Sequence, residues 1–218
     1  MEIKETTKME SNAYYNLPYF VDYLIRQRSK IHSSNINYTI IILSTTIIES
    51  LLFDLLNLCI GDSFDLNTME GRISNDLSNR LNKASWNEFQ KITPILLNKK
   101  LNDCVDNELW KTIQSLFDYR NEIVHGKPFI VEKSIDGNEV NYSYQGKMKK
   151  IFEFLKEKDV IQDQRPGIMT NEIVDFFWLN TKKFILEISS QLKTEENEIV
   201  FLMLSDVFKK IEEDKSRI

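Results

Sequence analysis

The chain reads as an all-α helical bundle carrying one small β-hairpin, and three features predict this. Helix breakers are scarce, with 6 Gly and 4 Pro in 218 residues, against a combined usage of roughly 12 % in average proteins. Apolar residues recur at three- and four-residue spacing over most of the length, the signature of helices with one buried face. A single stretch, Phe129 to Tyr144, changes to period two around Asp136-Gly137, the chemistry of a tight hairpin turn. Hydrophobic residues make up 42 %, enough for one domain over residues 1–218 to bury a core.

Taken in order, Pro18 to Ile31 predicts a short outer helix with Phe20, Leu24 and Ile31 on apolar spacing. Arg26, Arg28 and Lys30 fall in its last turns, where cations complement the helix dipole. The run Asn37 to Ile60 predicts the central helix. Ile40, Leu43, Ile47, Leu51, Leu55 and Leu58 form its stripe, and Ile41, Ile48, Leu52 and Leu56 widen it until most of the circumference is apolar. Its length invites a membrane reading, but Glu49, Asp54 and Asn57 lie within it, and ionisable groups at bilayer depth are costly. No membrane partner is expected, and Gly61-Asp62 supplies a stop.

The next segment, Asp62 to Asn82, is polar and Asn-rich and predicts a loop with a short helical piece. Helical spacing follows through Trp86, Phe89, Ile92 and Leu96, with an interruption expected at Pro94. Asp106 to Val124 is clearer, with acidic residues Asp106 and Glu108 at its start, apolar Leu109, Ile113, Leu116 and Phe117, and Gly126 and Pro128 beyond its end. After the hairpin, Met148 to Lys158 carries Ile151, Phe152 and Leu155, and Arg165-Pro166-Gly167 breaks the pattern. Thr170 to Leu192 and Glu195 to Ile211 predict the last two helices.

The charge balance, 28 Lys+Arg against 33 Asp+Glu for a net −5, excludes a broadly basic surface, so any nucleic-acid contact rests on a local positive site. The opening Met1-Glu2-Ile3-Lys4-Glu5 lacks the pattern of a signal peptide. Cys59 and Cys104 suit reduced thiols. Both points lead to the expectation of a cytoplasmic protein. Two Cys and two His without close spacing predict neither a metal site nor a cofactor.

The stretch Asp118-Tyr119-Arg120-Asn121-Glu122-Ile123-Val124-His125-Gly126 gathers a fixed cation, an amide and one of two histidines at a helix end. That set suits a phosphodiester. Cleaving RNA without metal requires a base for the 2′-hydroxyl, a donor set for the extra negative charge on phosphorus, and an acid for the departing 5′-oxygen. Imidazole titrates near neutrality, and guanidinium offers a permanently charged fork to two phosphate oxygens. If the helix reaches His125, Asn121 lies one turn below it on the same face, while Arg120 is rotated away by about 140°. A break near Gly126 brings the two together. So does a two-fold dimer, in which Arg120 and His125 of two chains flank one phosphate.

These residues resemble the HEPN (higher eukaryotes and prokaryotes nucleotide-binding) domain family, whose ribonuclease members carry R-N-x-x-x-H. Arg120, Asn121 and His125 match that motif, and Gly126 follows as it often does. The helical context, with an apolar upstream helix containing Glu49, is similar as well. The resemblance implies a metal-independent endoribonuclease with a composite site in a homodimer. It also implies a toxin or antiphage role, with an antitoxin or defence-system partner. The position two after the histidine, often Tyr in toxins paired with a nucleotidyltransferase, is Lys127 here. That points away from such a partner and leaves Lys127 either as added positive charge for substrate binding or as a solvated loop lysine.

Other residues have weaker claims. Arg26 and His32 form a competing pair with one residue more between them. Glu49 either balances Arg120, orients His125 or pairs for structure; Glu122 either reaches the His125 ring or faces solvent. Tyr142 and Tyr144 either stack on bases or pack the hairpin on the bundle. The rival to an enzyme is a non-catalytic module binding a nucleotide, RNA or a protein.

Overall fold

The computed structural model describes residues 13–28, 33–60, 65–125, 131–136, 139–161, 169–192, 202 and 205–211. His32, Gly61-Asp62, Gly126, Lys127, Pro128, Gly137 and Arg165-Pro166-Gly167 lie outside them. Helices dominate. A 3₁₀ turn (Ala13–Asn16) leads into α1 (Leu17–Gln27), which has Pro18 in its first turn, where a missing N–H costs nothing.

The centre is α2 (Ser33–Ile60), where Ile40, Ile41, Ile47, Ile48, Leu51, Leu52, Leu55 and Leu56 are buried. Burying such side chains contributes roughly 1.5–3 kcal/mol each. Its polar residues in the core satisfy themselves. Ser44 Oγ donates to the Ile40 carbonyl at 2.8 Å, and Thr45 Oγ1 to that of Ile42 at 2.9 Å. One apolar window of this helix has mean hydropathy 1.9, enough by length and composition to cross a membrane, and 56 % of that window is buried inside the molecule. The helix packs against α1 and four elements that come later in the chain: α3 (Met69–Leu81), α4 (Trp86–Leu97), α5 (Asn107–Val124) and α7 (Asn171–Leu192).

Two segments differ from their sequence reading. The Asn-rich stretch expected as a loop with a short piece of helix holds a 13-residue helix, α3. Thr68 caps it by accepting from the Gly71 N–H at 3.0 Å, and Leu77 and Leu81 bury its inner face. A Cβ at residue 71 would stand 1.9 Å from the Asp65 carbonyl oxygen, so only glycine permits this entry. Pro94 does not interrupt α4. It sits in the final turn, and the helix runs on to end at Asn98 in the left-handed region at φ 50°.

An aromatic cluster joins α4, α5 and α7. Trp86 stacks on Phe117 with centroids 4.1 Å apart and meets Phe184 edge-on at 6.2 Å. Asp106 ties the same region together: its Oδ1 accepts from the Leu109 N–H at 2.7 Å to cap α5, and its Oδ2 accepts from Lys183 of α7 at 3.0 Å. Beyond α5, β1 (Val131–Asp136) and β2 (Glu139–Tyr144) pair antiparallel, from Val131 opposite Tyr144 to Asp136 opposite Glu139. Next comes α6 (Gly146–Glu157), where Tyr144 is buried and stacks on Phe152 at 4.1 Å. Tyr144 is therefore a packing residue, closed to bases. Residues 205–211 are helical, with Phe208 against Trp178 at 6.2 Å.

The start of α2, the start of α7 and the end of α5 gather at one place. Asn37 Nδ2 donates to the Met169 carbonyl at 2.8 Å and to Asn171 Oδ1 at 3.0 Å. Tyr119, fully buried, donates its hydroxyl to Met169 Sδ at 3.5 Å, and burial holds its phenol far above the ordinary range.

Candidate functional site

The last turn of α5 carries the motif. An apolar stripe of Leu109, Ile113, Leu116, Tyr119 and Ile123 faces the core, which turns Arg120, Asn121 and Glu122 to half-buried positions and Val124 and His125 to solvent. The helix ends at Val124, and His125 follows as its C-cap at φ −77°, ψ −1°, with its N–H donating to the Asn121 carbonyl at 3.1 Å. Near-helical geometry thus continues to His125. Asn121 and His125 are joined through the backbone, and the expected rotation separates Arg120 from the histidine around the helix.

Arg120 and Asn121 are brought together directly. Arg120 Nη1 donates to Asn121 Oδ1 at 2.9 Å. Arg120 Nη2 lies 3.6 Å from Glu49 Oε2 on α2, and Arg120 Nε is buried without a hydrogen-bond partner. Both side chains of the ion pair keep some access to water, 29 % for Arg120 and 22 % for Glu49. Burial pushes the Glu49 carboxyl above its ordinary range, against a smaller opposing pull from Arg120. Of the alternatives open for Glu49 in the sequence, proximity to Arg120 is what the structure displays.

Sequence reasoning missed Tyr38. Its hydroxyl donates to the Ile123 carbonyl at 3.3 Å, giving a partner to one of the last carbonyls of α5. A tyrosine near the start of a long apolar helix, on the same 3–4 spacing as Ile42, Thr46, Glu49 and Phe53, is the signal that was available. All five are half-buried or exposed, so α2 keeps one open stripe alongside the motif.

Chemically, the turn presents one fixed cation with an amide beside it and an exposed imidazole one residue past the helix. Beside the guanidinium stands a half-buried carboxylate, Glu49. Among the described residues, no group of three or more His, Cys, Asp or Glu gathers where a metal would sit. A separate surface hollow of about 400 Å³ lies between α3 and α4, lined by Asn79, Arg80, Lys83, Ser85 and Glu88. Arg80 is already spent there on Glu88 at 2.5 Å. Compared with models of known families, with curated proteins and with solved structures, the chain matches none.

Proposed function

We propose that this chain is a HEPN-type, metal-independent endoribonuclease acting as a cytoplasmic homodimer in a toxin or antiphage role. The observation that carries the reading is Asn121 holding one Arg120 nitrogen in the last turn of α5, with His125 exposed at the C-cap that follows. In the reaction, a histidine removes the proton of an RNA 2′-hydroxyl, whose oxygen attacks the adjacent phosphorus. The bond from phosphorus to the 5′-oxygen breaks, and a second histidine protonates that leaving oxygen. The products are a 2′,3′-cyclic phosphate and a 5′-hydroxyl, and no water, metal or redox partner enters.

One imidazole per chain in the motif makes a dimer the economical arrangement, with His125 and His125 of the partner subunit as base and acid. The open stripe of α2 and exposed Ile42 and Val124 beside the motif supply apolar surface for that contact. Arg120 stabilises the developing charge on the phosphate, Asn121 fixes its guanidinium, and Lys127 adds local positive charge.

The test is cleavage of single-stranded RNA by the purified full chain in EDTA. Arg120→Ala and His125→Ala are each expected to lower the rate by about 10² or more. Equal cleavage by wild type and both variants overturns the proposal. Binding without cleavage by the wild type assigns the chain to the non-catalytic module instead.

A further inference from the structure

The donors of Arg120 are unevenly committed. Nη1 is held by Asn121 at 2.9 Å. Of the remaining edge, Nη2 and Nε, only Nη2 is open to a phosphate oxygen, because Nε is buried. Nη2 is 3.6 Å from Glu49 Oε2, and Nε is buried with no partner. A docked carboxylate would close to about 2.7–2.9 Å. Glu49 therefore holds this edge by charge, without completing it, and a phosphate bound there must sit beside a second anion.

Resting on the ribonuclease reading above, we propose that Glu49 is a gate on the site: as an anion it keeps Arg120 from RNA phosphate, and substrate enters when that charge is quenched. Asn121 does the positioning, because its contact with Arg120 is the short one. The two roles predict opposite signs. Were Glu49 a positioning residue, neutralising it would weaken binding; as a gate, neutralising it strengthens binding.

The charge facing Glu49 across the cleft is Arg120 of α5, and it lowers the Glu49 titration. Helices α1, α3, α4 and α7 also pack against α2, and among the described residues Arg120 is the one charge that shifts the Glu49 carboxyl. Burial already favours the protonated carboxyl, so taking up one proton is the low-cost way to open the gate as phosphate approaches.

The experiment measures binding of a 2′-O-methyl oligonucleotide, which cannot be cleaved, to the full chain. Wild type, Glu49→Gln, Glu49→Asp and Arg120→Ala are compared at pH 5.5 and 8. Like charges placed together across a binding site cost several kcal/mol when desolvated; with both groups partly in water, Glu49→Gln is expected to bind about tenfold more tightly at pH 8. The gap narrows as pH falls toward 5.5, and Glu49→Asp, which keeps the charge, stays near wild type. Both proteins carry the same His125, so the comparison at each pH isolates Glu49.

Calorimetry in two buffers of different protonation enthalpy reads proton uptake by wild type alone and needs no variant to fold. Equal or weaker binding by Glu49→Gln at pH 8, or wild-type binding with no proton uptake at any pH from 5.5 to 8, overturns the gate. If Arg120→Ala abolishes binding while Glu49→Gln matches wild type, only the gate falls. If wild type fails to bind, or Arg120→Ala binds as well as wild type, the ribonuclease reading falls with it.

Discussion

The two ends of α5 treat their carboxylates in opposite ways. At the start, Asp106 is exposed and surrounded by donors, the Leu109 N–H first and Lys183 next, which hold its carboxyl below the ordinary range. Glu108 beside it is held low by Lys158 and Lys111. Each anion there has partners already in hydrogen-bonding contact. At the other end, Glu49 is half-buried, raised by desolvation, and pairs with a guanidinium at 3.6 Å, beyond hydrogen-bonding distance. One end is closed and serves stability. The other carries unspent charge, the state expected of a site awaiting a ligand.

The strongest way to break this contrast is to empty the closed end. Trp86→Ala removes a ring stacked on Phe117 and bonded through Nε1 to Gln114 at 3.2 Å, and a loss of about 3–5 kcal/mol is expected in urea unfolding. Next, Asp106→Ala deletes the cap of α5 and should cost about 1 kcal/mol. The wild-type advantage over that variant has a definite pH course. It is fully present above the ordinary carboxylate value of 3.8 and is lost as pH falls through the lower folded value; melts from pH 7 to 2 read it.

At the open end, Tyr38→Phe removes the bond to the Ile123 carbonyl and should cost about 0.5–1.5 kcal/mol in the same unfolding measurement. The smallest effect has the reverse sign. Because burial raises the Glu49 carboxyl, the native chain binds more protons than the unfolded chain just above pH 4.5. Stability from this group therefore declines as pH rises through that window. Glu49→Gln lacks the decline, so its stability relative to wild type improves between pH 4.5 and neutrality. A constant difference over that range would show that the two ends of α5 do not differ as described.

Much of the bundle was legible because its strongest patterns are local. The apolar circumference of α2 and the acid-to-Gly126 frame of α5 each state their element within one window. Helix α3 was hidden because its inner face consists of a few apolar residues among Ser and Asn, and its necessity lies in a tertiary approach, Gly71 against the Asp65 carbonyl. Pro94 misled because a proline forfeits one hydrogen bond, here to the Gln90 carbonyl, without forcing the chain to stop, and α4 runs on for three more residues. The motif itself was readable as residue types at a spacing. Which nitrogen of Arg120 each neighbour takes was not, since Asn121 and Glu49 are one and 71 positions away in the chain and only packing brings the second into range. Tyr38 reaches a backbone carbonyl, a partner with no side-chain identity to read.

The order of synthesis gives α2 an awkward early life. It is made before α3, α4, α5 and α7, and Asn37 waits for Met169 and Asn171 to satisfy its amide. While those partners are still being translated, the ribosome displays a greasy rod that insertion machinery and aggregating neighbours can recognise. Arrival of α3, α4, α5 and α7 is what covers this rod.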